Sequence, residues 1–131
     1  MATKDHAIHN EEACDFLLSS GKFNDWVVTT AFYSAMQFVC NELFPLEQNN
    51  VIFDSFERYY HLNFKNTVNR QSKHLVIISL VNSNLPLCVK FYRSLYDQCM
   101  KARYTNYKVS LNIAIKVRKD LDNLKRQLEK L

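Results

Sequence analysis

A chain of 131 residues with one glycine and two prolines has few places to turn sharply. β-Sandwiches and barrels need many tight turns, and Gly and Pro are the residues that make them. Their scarcity here favours a few long helices joined by polar loops. The length suits a single domain over residues 1–131. Apolar residues make up 47%, with nine Phe and seven Tyr, enough for one packed core without staples.

Hydrophobic periodicity divides the chain. A first helix is expected from Lys4 or Asp5 to Ser20, with Ile8, Ala13, Phe16 and Leu17 as its apolar stripe. Gly21 fits the position after a helix where a left-handed residue is needed. A second helix is expected from Asn24 or Asp25, either of which can cap it, to about Phe44, where Pro45 stops it. No charge lies between Asp25 and Glu42, and apolar residues fall on every face, so this helix belongs at the centre. Along it Trp26, Thr30, Tyr33, Gln37 and Asn41 form one polar stripe. Their polar ends must either bond within the bundle or open onto a pocket or interface, because an unpaired buried group costs ~1–3 kcal/mol.

Residues 46–67 are less legible: Gln48-Asn49-Asn50 signals a turn, and the aromatics from Phe53 to Phe64 allow a short helix. A third helix is expected over Val68–Val81, closed by Asn82-Ser83-Asn84. A fourth starts near Leu85-Pro86 and places Leu85, Cys88, Tyr92, Leu95, Cys99 and Ala102 on one face. Tyr104–Tyr107 interrupts. A last helix from Ser110 carries Ala114, Val117, Leu121, Leu124, Leu128 and Leu131 on one stripe. That stripe either docks on the bundle or pairs with a second copy. The expected fold is all-α.

Charge is uneven. Residues 88–131 hold eleven Lys/Arg against four Asp/Glu, while residues 1–87 hold six against nine. The basic last third can attract nucleic acid or an acidic partner, or form the solvated face of a helix. The opening MATKDHAIHNEEACD has no apolar signal-peptide core, and runs such as Leu75–Val81 fall short of the ~20 residues a membrane span needs. Cys14, Cys40, Cys88 and Cys99 form no CxxC pair and lie on or beside apolar stripes, so they read as reduced, buried thiols. A cytoplasmic protein without membrane association is expected.

Chemistry-bearing motifs are sparse. No phosphate-cradling Gly-rich loop, GxSxG, HExxH, EF-hand loop or di-iron ExxH pair occurs. His6 and His9 are three apart but lack a third ligand nearby, so no metal and no cofactor is expected. Lys101–Lys108 mixes cations and aromatic rings at a helix junction, a composition suited to helix capping, a protein interface or nucleic acid.

Two blocks carry a resemblance: Asp25-Trp26-x-Val28-xx-Ala31-Phe32-Tyr33-x-Ala35, and Ala102-Arg103-Tyr104-xx-Tyr107. With His6-xx-His9-Asn10-Glu11, Lys73-His74 and Leu85-Pro86, they make most of residues 5–125 resemble the prokaryotic HEPN superfamily. The resemblance implies an antiparallel bundle of four to five helices with HEPN-like up-and-down topology, often a homodimer. Members include RNase toxins, partners of nucleotidyltransferases and inactive accessory domains. Active members need an Arg followed within a short spacer by His. Here Arg103 stands where that Arg would, but Tyr107 and Lys108 fill the space of the His. Arg70 and His74 are too close in sequence and sit elsewhere. Gln37 stands where such members often carry His, and Gln is no acid or base near neutral pH.

The resulting expectation is a non-catalytic binding module, an accessory in a toxin–antitoxin or defence-type system. Its candidate pocket residues are Tyr33, Gln37, His74, Arg103, Tyr104 and Tyr107. A homodimer, a nucleotidyltransferase or RNA is its partner. Two alternatives stand beside it: an atypical RNase using Arg103, Tyr104 and Tyr107 with His74, and a purely structural dimerisation domain.

Overall fold

The computed structural model describes residues 3–64 and 71–131. Among them six helices and one hairpin follow in the order α1 (Thr3–Ser20), α2 (Asn24–Leu43), β1 (Leu46–Gln48), β2 (Val51–Phe53), α3 (Phe56–Asn63), α4 (Lys73–Asn84), α5 (Val89–Tyr104) and α6 (Leu111–Glu129). The chain is therefore mostly helical, as expected from its turn residues. Among the described residues there are six helices beside the four to five expected, and the class is all-α apart from one short hairpin.

The uncharged α2 sits at the centre and packs against α1, α4, α5 and α6. Its buried face includes Val27, Val28, Ala31, Phe32, Ala35 and Val39. Charge-free composition on every face is what such a position requires, since each neighbour desolvates a different side. Pro45 follows the helix end as expected. The cap does not: Phe23 occupies that position without a side-chain bond. The Asn24 amide instead donates to the Val109 carbonyl at 3.1 Å and pins the α5–α6 loop to α2.

α1 runs antiparallel to α2, and small residues set the spacing. The Ser34 hydroxyl donates to the Ala7 carbonyl at 2.8 Å, and the Cys14 thiol to the Val27 carbonyl at 3.5 Å. Ala7 and Cys14 are the buried residues of α1, while Ile8 and Phe16 are exposed. The stripe expected from Ile8 and Phe16 is corrected accordingly. Gly21 has φ +70°, the left-handed conformation its place after α1 demands.

Asn49 and Asn50 both have positive φ, 53° and 64°, which suits a two-residue hairpin turn. They join β1 to β2 with Leu46 opposite Phe53 and Gln48 opposite Val51. Phe53 then meets Tyr59 edge-on at 5.1 Å, and Phe44 lies 6.2 Å from both Phe56 and Tyr59. These rings fasten the hairpin and α3 to the end of α2.

α4 begins at Lys73, with the Ser72 hydroxyl accepting from the Leu75 N–H. Gln71 and Ser72 therefore precede the helix expected over Val68–Val81, and Asn82–Asn84 belong to it rather than closing it. Val68 and Arg70 lie outside the described residues. Leu85–Cys88 is a turn leading into α5, which begins at Val89, later than the expected Leu85-Pro86.

α5 buries Tyr92, Leu95, Cys99 and Ala102. α6, capped by the Ser110 hydroxyl, buries Ala114, Val117, Leu121 and Leu124. The leucine stripe of α6 thus faces this chain's own core. Its cations reach α1: Arg118 pairs with Glu11 at 2.9 Å and Asp15 at 2.6 Å, and Lys125 with Glu11 at 2.9 Å. Arg118 also holds Asp122, and Lys116 holds Asp120. Three of the cations behind the basic last third are therefore neutralised within the fold. No helix among the described residues is long and apolar enough to cross a membrane.

Candidate functional site

The polar stripe of α2 opens outward rather than closing within the bundle. Trp26, Thr30, Tyr33 and Gln37 line a groove of about 390 Å³ completed by His6 and Asn10 of α1 and Arg103 of α5. Gln37 also borders a second cleft of about 390 Å³, shared with Asn41, Cys40 and His74 and closed by Phe44, Phe56, Asp54 and Glu57. The Thr30 hydroxyl is already satisfied by the Trp26 carbonyl at 2.6 Å.

Arg103 is the centre of the first groove. It stands in the last turn of α5, where a cation opposes the helix dipole. One of its Nη atoms donates to the Tyr33 hydroxyl at 2.6 Å. Its guanidinium carbon lies 5.9 Å from the Tyr33 ring centroid and 5.3 Å from that of Tyr104. Two aromatic faces and one hydroxyl therefore fix the guanidinium while Arg103 itself stays exposed. No carboxylate lines this groove. Among its residues, Arg103 supplies the fixed charge and Asn10 and Gln37 supply hydrogen-bonding groups.

His74 lies behind Tyr33. Its ring is 6.3 Å from Tyr33, 5.5 Å from Phe32 and 5.7 Å from Tyr96. Its Nδ1 is buried with no hydrogen-bond partner. Burial, then the Arg103 charge, holds its pKa below the ordinary 6.5. The unfolded chain therefore takes a proton that the fold resists. The stability contributed by neutral His74 is fully present above about pH 6.5 and falls as pH drops below it. His74→Phe keeps an aromatic ring in the same aromatic nest and removes the titration. Urea melts between about pH 7 and pH 5 should show a smaller loss of stability for the variant than for the natural chain. Parallel losses would mean that His74 is not the titrating group.

Of the six residues singled out in the sequence, the structure brings Tyr33, Gln37, Arg103 and Tyr104 to one groove or its rim, with His74 packed behind. Tyr107 is apart. It lines a neighbouring groove with Asn24, Trp26 and Lys108. His6 and Asn10 were not among the six. Their signal was present, since they are one helical turn apart on the wet side of α1, but it required knowing that α1 pairs with α2. Among the described residues no group of three or more His, Cys, Asp or Glu could hold a metal ion. Cys14, Cys88 and Cys99 are buried and Cys40 half-buried, all as free thiols. Burial pushes Cys14 and Cys99 to about 11 and Cys40 to about 12, so these thiols stay protonated and are poor nucleophiles near neutral pH.

No protein-family model, no curated protein and no solved structure matches the chain. The functional reading therefore rests on the residues themselves.

Proposed function

We propose that this protein is a HEPN-like helical binding module that grips an anionic group of its partner in the groove around Arg103. One observation carries the reading: a fixed, exposed guanidinium is surrounded by hydrogen-bonding groups in a groove that no carboxylate lines. Such a lining favours a phosphate or carboxylate, to which Arg presents parallel N–H donors. Gln37 beside it offers an amide where an acid–base group would be needed for turnover. The resemblance in the two sequence blocks supplies the class, with a homodimer and an accessory role in a prokaryotic toxin–antitoxin or defence-type system. A nucleotidyltransferase or RNA fits as partner.

A second reading has one observation in its favour. His74 is held neutral near Tyr33 and Arg103, and a neutral imidazole can act as a base. This is the atypical RNase, reduced to Arg103, Tyr104 and His74 now that Tyr107 stands apart, with Tyr33 beside them.

Both readings meet in one experiment. Inorganic phosphate titrated into the labelled protein should shift amide resonances of Asn10, Tyr33 and Arg103, and Arg103→Ala should weaken this binding by about tenfold. Metal-free cleavage of RNA that disappears in Arg103→Ala would replace the binding module with the enzyme. An absence of phosphate shifts at these residues would remove the anion site.

A further inference from the structure

The groove beside Arg103 carries a different chemistry. Phe23, Trp26 and Tyr107 stand around it 49%, 55% and 67% exposed, an unusual amount of aromatic surface to leave in water. Lys22 and Lys108 flank them, with Asp25 as the one acid in the lining. Tyr and Trp are the residues that dominate protein–protein contacts, because they bury large area at little entropic cost. The groove encloses about 420 Å³. Its far wall is fixed in advance: Asn24 ties it to Val109, and the Asn106 side chain accepts from the Lys108 N–H at 2.9 Å. A fixed wall lowers the ordering cost of binding.

We infer that this groove is a docking surface for an extended, acidic segment of a partner protein. The sign follows from the two lysines set against one carboxylate. The choice of a polypeptide follows from Trp26 and Tyr107, side-chain types that anchor protein contacts, and from Asp25, whose carboxylate can accept a peptide N–H but repels a phosphodiester backbone. The inference reaches beyond the Arg103 groove and does not need Arg103, although both rest on binding as the protein's task.

Trp26 is the only tryptophan in the chain and borders both grooves, so a change in its fluorescence is assigned to this groove when it survives Arg103→Ala. A short peptide of alternating Glu and Leu is titrated into the full chain, beside its Lys-Leu counterpart and an oligouridylate. The expected result is a saturable blue shift of Trp26 emission with the acidic peptide alone. It should weaken in high salt, and by about tenfold in the double variant Lys22→Glu, Lys108→Glu. Both substituted positions are exposed, and circular dichroism confirms that the variant folds. Arg103→Ala should leave this titration unchanged, so failure here and failure at the Arg103 groove are separable. Four outcomes overturn the inference: no shift, an equal shift with the basic peptide, tighter binding of the oligouridylate, or a shift that appears with rising protein concentration and no peptide. The last would make the occupant a second copy of this chain.

Discussion

Leu121→Lys is expected to abolish cooperative folding. Leu121 is fully buried on α6, between Val117 and Leu124 in the stripe that meets the core. The substitution removes a packed side chain, which alone costs ~2–5 kcal/mol, and asks an ammonium to sit in apolar surroundings. Domains of this size hold only about 5–15 kcal/mol of net stability. Far-UV circular dichroism during heating should show no sigmoidal transition. Leu131→Lys is the control: Leu131 continues the same sequence stripe but is 69% exposed, so the change should stay within about 0.5 kcal/mol. A folded Leu121→Lys protein with an ordinary melt would show that the stripe is free and available for assembly.

Arg118→Ala should cost about 2–4 kcal/mol. The side chain is 17% exposed and Glu11 opposite it 13%, so the pair is largely out of water. Burial works against the Arg118 charge, but the hydrogen bond to Asp15 and the charges of Asp122, Asp15 and Glu11 outweigh it and raise its pKa. Remove the guanidinium, and three carboxylates are left facing one another with Lys125 holding Glu11 alone. Repulsion among them is screened by salt, so the deficit should shrink as ionic strength rises. Arg118→Met retains the apolar stem and separates lost packing from lost charge. Urea denaturation at low and high salt measures both. If Arg118→Ala and the natural chain share a midpoint, the clamp contributes nothing to stability.

Helix positions were legible where chemistry and size point the same way. The charge-free run of α2 announced its central place, and the recurring Leu and Val of α6 announced its buried face. α1 misled because its large apolar side chains, Ile8 and Phe16, lie outside, while Ala7 and Cys14 make the contact. Close helix packing rewards small residues, and a count of large hydrophobics does not detect them. The hairpin was legible only at its turn, since strands of three residues are too short to show an alternating pattern. α4 and α5 start later than their apolar patterns because Ser72 caps one and a turn at Leu85–Cys88 precedes the other. The site was half legible: one helix placed Tyr33 with Gln37, but meeting Arg103 needed α5 packed across α2. His6 and Asn10 joined only through the α1–α2 pairing, which no local pattern encodes.

The clamp between α1 and α6 has a consequence for how the chain is made. Glu11 and Asp15 leave the ribosome before the Arg118 that neutralises them, which follows 107 and 103 residues later. α1 and α2 can associate at once, through the Ala7–Ser34 and Cys14–Val27 contacts. Throughout synthesis that pair carries an exposed acidic edge and an uncovered α2 face. The acids keep the nascent hairpin solvated while its apolar face waits. The arrival of α6 covers the face and discharges the edge together, so burial and neutralisation are tied to the same helix.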